Sequence, residues 1–213
     1  MDSLLGTKRG MTQIWTEEGQ RLPVTVVDLA KNLVTEIRTK ERDGYEAVQL
    51  GYGTIREKRL AKPQIGHFKK LGVGQRRHLR EVRGPAGDLA VGQELGCDRL
   101  EPGTLVDVIG TSKGKGFQGT IKLHNFSRGP EAHGSDNVRK PGSIGMHTHP
   151  GRTLKGKRMA SMMGNARVTV RRLEVVSVDA EAGVVLIKGA VPGNNGGLIL
   201  LRKSQLQKTR AQA

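Results

Sequence analysis

Residues 111–167 hold too little apolar surface to fold alone, and this limits what the rest of the chain can be. The stretch reads TSKGKGFQGTIKLHNFSRGPEAHGSDNVRKPGSIGMHTHPGRTLKGKRMASMMGNAR. Of its 57 residues, eleven are Lys or Arg, ten Gly, four His and two acidic (Glu131 and Asp136). Its only Leu, Ile or Val residues are Ile121, Leu123, Val138, Ile144 and Leu154. Ordering a backbone costs roughly 1–2 kcal/mol per residue, and a segment this poor in apolar groups cannot offset that by itself. Strand-like sequence flanks it on both sides, so it reads as an insertion in a β-rich domain. It needs an outside partner to give it shape, and its charge makes that partner a polyanion.

The chain has 213 residues and a net charge of +16, nine units of which fall within residues 111–167. Small domains usually carry a net charge of about 2–8, so this field points to nucleic acid, an anionic membrane surface or a sulfated polymer. A single cysteine, Cys97, excludes an internal disulfide framework and fits a reducing compartment. The first residues, MDSLLGTKRGMTQIW, lack the apolar run of a signal peptide, and no stretch of about 18 apolar residues exists to span a bilayer. A cytoplasmic location with no membrane partner is the expectation.

Outside the insertion, short runs of β-branched and aliphatic residues alternate with Gly-rich turns. Strands are expected at 4–15, 22–29, 32–39, 47–52, 104–109, 168–178, 184–188 and 198–201. No amphipathic helices of 10–15 residues separate them, which argues against a parallel α/β sheet and for a closed or nearly closed barrel. Residues 55–100 differ. Residues 55–61 suggest a short basic helix ended by Pro63, residues 67–71 suggest another turn or two, and Arg76, Arg77, Arg80 and Arg83 form a cationic run. The expected fold is mainly β, a barrel with a small inserted subdomain and a long, irregular basic extension. Its expected division is 1–54 for the first part of the barrel, 55–100 for the subdomain and 101–112 for a barrel strand. The extended loop follows at 113–164, the last part of the barrel at 165–202, and a polar tail at 203–213.

Motifs of enzyme chemistry fail on inspection. Gly114-Lys115-Gly116-Phe117-Gln118-Gly119 matches GxGxxG, but a dinucleotide site needs a helix next and an acidic residue about 20 positions on. Residues 120–126 alternate like a strand, and the later position holds Arg139 and Lys140. A Walker A loop fails too, because Gly116 follows Lys115 where Ser or Thr should bind magnesium. Bare glycine backbone with two lysines suits close approach to phosphates instead. His147 and His149, with His124 and His133, lack the paired spacing and the thiolate or carboxylate neighbours of a zinc site. No nucleophile–base pair or carboxylate pair stands out, so no catalytic residue, metal, cofactor or small-molecule substrate is assigned. Met159, Met162 and Met163 read as packing at the root of the insertion.

The cations come in small groups split by Gly or Pro: Lys113 and Lys115, Arg139 and Lys140, Arg152, then Lys155, Lys157 and Arg158. Pro141, Pro150 and the glycines exclude a long groove-binding helix. Phe117 and Phe126 are the only aromatic rings of Phe, Tyr or Trp type in the insertion, too few for extensive stacking on single-stranded bases. A folded RNA, recognised by shape and backbone, fits best.

At these residues the chain resembles the large-subunit ribosomal protein three family in its bacterial form. The resemblance rests on Gly6-Thr7-Lys8-Arg9-Gly10-Met11-Thr12, Pro23-Val24-Thr25-Val26 and Lys62-Pro63-Gln64-Ile65-Gly66-His67-Phe68. It continues through Gly110-Thr111-Ser112-Lys113-Gly114-Lys115-Gly116-Phe117, Pro141-Gly142-Ser143-Ile144-Gly145, Lys155-Gly156-Lys157-Arg158-Met159-Ala160 and Lys188-Gly189-Ala190-Val191-Pro192-Gly193. It covers nearly the whole length, and the TSKGKGF block is its most specific part.

The resemblance implies a translation-protein-type β-barrel and a structural, non-enzymatic part in the large subunit. Large-subunit rRNA and neighbouring large-subunit proteins would be its partners, and it would join early in assembly. The candidate rRNA-binding residues are Lys8, Arg9, Lys113, Lys115, Lys122, Arg128, Arg139, Lys140, Arg152, Lys155, Lys157, Arg158 and Arg167. The extension's tip, facing the peptidyl transferase centre, would comprise Ser143, Ile144, Gly145, Met146, His147, Thr148, His149 and Pro150. Some bacterial relatives carry a methylated glutamine in this loop. Here Met146-His147-Thr148-His149 stands there and no glutamine lies between Gln118 and Gln205, so that modification is not expected. The alternatives at this stage are a non-ribosomal basic protein that coats nucleic acid, and a zinc- or nucleotide-dependent enzyme.

Overall fold

Runs of β-branched and aliphatic residues become strands wherever a Gly-containing turn lets the chain reverse. The structure, a computed structural model, describes residues 3–205. In chain order the strands are β1 (Ser3–Trp15), β2 (Arg21–Asp28), β3 (Asn32–Arg38), β4 (Ala47–Thr54), β5 (Arg76–Arg83) and β6 (Glu94–Leu95). They continue with β7 (Leu105–Thr111), β8 (Gly116–Gln118), β9 (Ser161–Met163), β10 (Arg167–Asp179), β11 (Val184–Lys188) and β12 (Leu198–Lys203). The helices are α1 (Lys40–Asp43), α2 (Lys62–Leu71) and α3 (Thr120–His124).

Six strands close an antiparallel barrel in the order β1-β12-β7-β10-β11-β2. Closure depends on two long strands that each serve two neighbours. β1 pairs Ser3–Thr7 with β12, then passes a register shift at Lys8/Gly10 and pairs with β2 as far as Trp15. β10 shifts register between Val170 and Leu173, where Arg172 takes a φ of 59° and gives its amide to the buried Asp107 Oδ1 at 3.1 Å. Such bulges bend a strand and let a sheet curl shut. Gly6 sits where strands crowd, since a Cβ there would lie 2.6 Å from both the Asp28 carbonyl and Leu29 Cδ2. The interior is filled by Leu4, Val27, Val106, Val108, Val175 and Ile187 among others.

The remaining strands of the main body form a second sheet, ordered β5-β4-β3-β6. Residues 1–54 were expected to lie in the barrel, but β3 and β4 pair with β5 and β6 instead. Val34, Val48, Leu50 and Tyr52 of this sheet join the barrel's residues in one continuous core. The buried Asn32 side chain accepts from the Leu5 amide at 2.9 Å and donates to the Leu5 carbonyl at 3.0 Å, tying β3 to β1.

Two local expectations are corrected. The basic helix expected at 55–61 is only a 3-10 turn, Glu57–Arg59. Pro63 opens α2 rather than ending a helix. Proline is harmless in a first helical turn, where its missing N–H has no partner to lose, and the Gln64 side chain accepts from the Ala61 amide at 3.2 Å. The tail expected from 203 lies outside the described residues from 206 onward, and Lys203 and Ser204 still bond to β7 or its neighbours.

Residues Ser112–Ala166 form a separate compact unit between β7 and β10 in the chain.

Candidate nucleic-acid interface

Glycine backbone and a few hydrogen bonds hold this unit together, since its side chains bury little. The outgoing and returning chains pair as β8 and β9, with Phe117 opposite Met162. The ladder extends through Lys115 N to Met163 O at 2.9 Å and Ser112 N to Ala166 O at 2.9 Å. Gly164 is needed at φ 76° because a side chain there would strike the Lys113 carbonyl. Residues 120–126, expected to be strand-like, contain the single helical turn α3, which Asn125 ends at φ 57°. His124 Nε2 meets the Met159 carbonyl at 2.9 Å, joining α3 to the returning chain. A further pinch comes from Gly129 N, which donates to Val138 O at 2.9 Å. The helical turn does not restore the dinucleotide reading, because the strand before it, β8, pairs antiparallel in a two-stranded sheet.

Only Thr120 is buried in this unit, and all ten of its Lys and Arg residues are exposed. Its two acids take Arg128 (with Glu131) and Lys140 (with Asp136, 3.8 Å). Lys113, Lys115, Lys122, Arg139, Arg152, Lys155, Lys157 and Arg158 have no ion-pair partner among the described residues. Apolar side chains are exposed as well. Phe117 is 74% exposed and its cross-strand partner Met162 68%, so Met162 is not the core residue its neighbourhood suggested. The sequence could not reveal this, because only the β8–β9 register puts Phe117 and Met162 on one face.

Residues 143–157 curl around a hollow of ≈280 Å³ lined by Ser143, Ile144, Met146, Pro150, Arg152 and Leu154, with Lys157 and Gly145 beside them. Ser143 Oγ donates to the Gly145 carbonyl at 3.0 Å, and His147 Nδ1 meets Thr148 Oγ1 at 2.6 Å. Met146 is 71% exposed. An apolar lining with two cations beside it can take the face of a base and an adjoining phosphate. His149, like His147, is exposed, and among the described residues no three His, Cys, Asp or Glu side chains gather as metal ligands.

The candidates on the barrel divide. Lys8, expected on the interface, is only 8% exposed, and its ammonium donates to the carbonyls of Val191 at 2.9 Å and Gly193 at 3.4 Å. A lysine bonded this way ties β1 to the 191–193 loop. Arg9 is exposed, with its guanidinium on Asp28 (Nε to Oδ2 3.1 Å). Arg167 is exposed at the start of β10, paired in register with Thr111. Cys97 is buried, and burial first, then the nearby Asp98, pushes its thiol above the ordinary range, opposite to what a nucleophile needs.

Sequence reasoning gave no binding role to Arg56, Arg59 and Arg77, which line one hollow of ≈490 Å³ together with Thr54 and Ile55. The signal was present as a basic turn and a later cationic run, but their meeting depends on the β4–β5 pairing.

With this geometry in place, comparison with known proteins points to a family. The ribosomal protein L3 family model matches residues 86–183. The large ribosomal subunit protein uL3 of Clavibacter michiganensis subsp. michiganensis is 54% identical over 203 residues, covering 94% of each chain. That of Bifidobacterium longum is 52% identical over 204 residues, covering 95% of this chain and 96% of its own. That of Trichormus variabilis is 52% identical over 197 residues, covering 92% of this chain and 93% of its own.

Proposed function

The chain belongs to the ribosomal protein L3 family, and on that premise we propose that it is a structural constituent of the large ribosomal subunit that binds large-subunit rRNA directly. It acts without chemistry of its own, joins early in subunit assembly, and directs residues 143–150 toward the peptidyl transferase centre. The observation that carries this reading is the unit Ser112–Ala166, where ten exposed cations meet two acids and one buried side chain. Such a surface is built to be covered. Lysine and arginine displace condensed counterions from RNA phosphates, and each phosphate so neutralised adds to affinity and to its salt dependence. Exposed Phe117, Met162 and Met146 supply apolar contact with bases or sugar faces where the backbone comes close. The effect on peptide-bond formation is indirect, through RNA held in one conformation.

The insertion leaves the barrel's chain after β7 and rejoins it at β10. Thr111 and Arg167, the residues flanking the unit Ser112–Ala166, are paired in the β7–β10 ladder, so the chain leaves and rejoins the barrel at adjacent strands. Its place in the cell is the ribosome, and among the described residues no helix is long and apolar enough to cross a membrane.

Co-sedimentation tests this reading. The chain is expected to stay with purified large subunits through a high-salt wash and to be absent from small subunits. Release at that wash, with equal binding to bulk DNA, would favour a nucleic-acid coat protein instead.

A further inference from the structure

We infer that the second sheet carries its own RNA site, separate from the insertion, in which Arg56, Arg59 and Arg77 grip backbone phosphate and the neighbouring apolar hollow receives a base. It rests on the reading that the partner is RNA. β4 runs out at Thr54, which pairs with Arg76, and the chain then turns through Arg56 into the 3-10 turn Glu57–Arg59. Arg59 N bonds back to the Arg56 carbonyl at 2.9 Å, which fixes these two residues on one tight turn. The β4–β5 pairing, with Tyr52 opposite His78 and Thr54 opposite Arg76, sets Arg77 beside Gly53 at the end of β4. The three arginines thereby converge on the hollow of ≈490 Å³. That volume falls within the roughly 300–1,000 Å³ of small-ligand sites, which is room for a nucleotide unit rather than a lone phosphate.

The site is cationic without compensation. Arg56, Arg59 and Arg77 are exposed and have no ion-pair partner among the described residues. The nearest acid in the chain, Glu57, turns toward Lys69 at 3.9 Å and does not line the hollow. Glu94 is engaged by Lys31 at 3.1 Å and by Arg76 at 3.9 Å. Burial first, and then Arg77 and Arg80, hold His78 below its ordinary pKa, which agrees with a positive field on this strand. Guanidinium forks match phosphate oxygens two at a time, which lysine cannot do.

Arg77 also lines a second hollow, of ≈330 Å³, where Leu60, Pro63, Phe68 and Leu79 supply apolar wall and Gln64 and Arg76 polar edges. His67 stands on its rim, its ring in edge contact with Phe68 at 6.0 Å. Arg77 is thus shared between a cationic hollow and a largely apolar one. This is the arrangement that a nucleotide with its base turned out of a helix requires, phosphate on one side and base face on the other.

The test uses the full chain and a large-subunit rRNA transcript, read by salt dependence and by hydroxyl-radical footprint. One variant carries Arg56→Gln, Arg59→Gln and Arg77→Gln; another carries Lys155→Gln, Lys157→Gln and Arg158→Gln. Each is expected to reduce the slope of log affinity against log salt by about 2–3, and each should erase a different footprint. A third variant, with Arg56→Lys, Arg59→Lys and Arg77→Lys, should keep the slope, and melting curves should match the native chain throughout. A native slope and footprint in the Arg-to-Gln variant would overturn the proposal, as would the same slope loss in the Lys variant. Loss confined to the Arg-to-Gln variant would support this site while refuting the insertion as the main interface. No rRNA binding by the native chain would refute both.

Discussion

Lys8 and Asp43 show how far a charged side chain's role depends on its neighbours. Lys8 lies in a basic, glycine-rich stretch and reads as a phosphate contact, yet its ammonium serves carbonyls 183 and 185 residues away. No local pattern could show this. Lys8→Met should leave those carbonyls without their donor and lower stability by about 1–3 kcal/mol. The salt slope of rRNA binding should stay at the native value; denaturant unfolding and a salt titration check the two halves. Asp43 accepts from Arg38 Nη1 at 2.9 Å, Arg42 Nε at 3.0 Å and the Thr39 amide at 3.3 Å, with Glu36 sharing both arginines. Desolvation alone would raise its carboxyl, but these bonds outweigh it and hold the group below its ordinary value. A carboxyl lowered by folding adds stability above its unfolded pKa and loses that contribution as pH falls through the folded one. Asp43→Asn should therefore cost stability at neutral pH and flatten its acid-side decline, which melting curves from pH 7 down to pH 3 would record.

The strands of the barrel could be read in the sequence because β-branched runs and Gly turns act locally. Residues 184–188 match β11 as expected, with Val185 and Ile187 inward. The allocation of strands to sheets could not be read, because whether β3 pairs with a barrel strand or with β4 and β6 is decided by contacts far apart in the chain. Short elements fail differently. Five residues, Thr120–His124, are too few for a 3.6-residue period to declare itself against an alternating one. Pro63 marks a helix boundary without saying which end. Two element-scale predictions follow from packing. Gly6→Val at the crowded start of β1 should destabilise by about 1–3 kcal/mol through overpacking against Asp28 and Leu29, seen as a lower denaturation midpoint. Phe117→Ala on the exposed β8–β9 face should change the free protein's stability by less than about 0.5 kcal/mol. Its rRNA affinity should nevertheless fall by about 1–3 kcal/mol, the size of one base–aromatic contact, as a filter-binding titration would measure.

Across the whole chain, charge and burial separate in the same way. The residues that build the shared core of barrel and second sheet come from 3–111 and 167–205, while the unit Ser112–Ala166 adds exposed cations and one buried threonine. That division was visible in composition alone, since five aliphatic residues among 57 cannot make a core. The exposed cations of the insertion were likewise readable as isolated Lys and Arg groups, but not the β8–β9 ladder, the hollow at 143–157 or the arginine hollow beside β4. Each of those is made by a return of the chain that composition does not encode. On the proposed function, rRNA supplies the covering that residues 112–166 lack. Amide hydrogen exchange on the full chain, with and without large-subunit rRNA, tests it most directly. Fast exchange through most of 120–160 in the free protein, slowed strongly when rRNA is bound, is the predicted result. Strong protection there without RNA, or exchange unchanged by its binding, would contradict the claim.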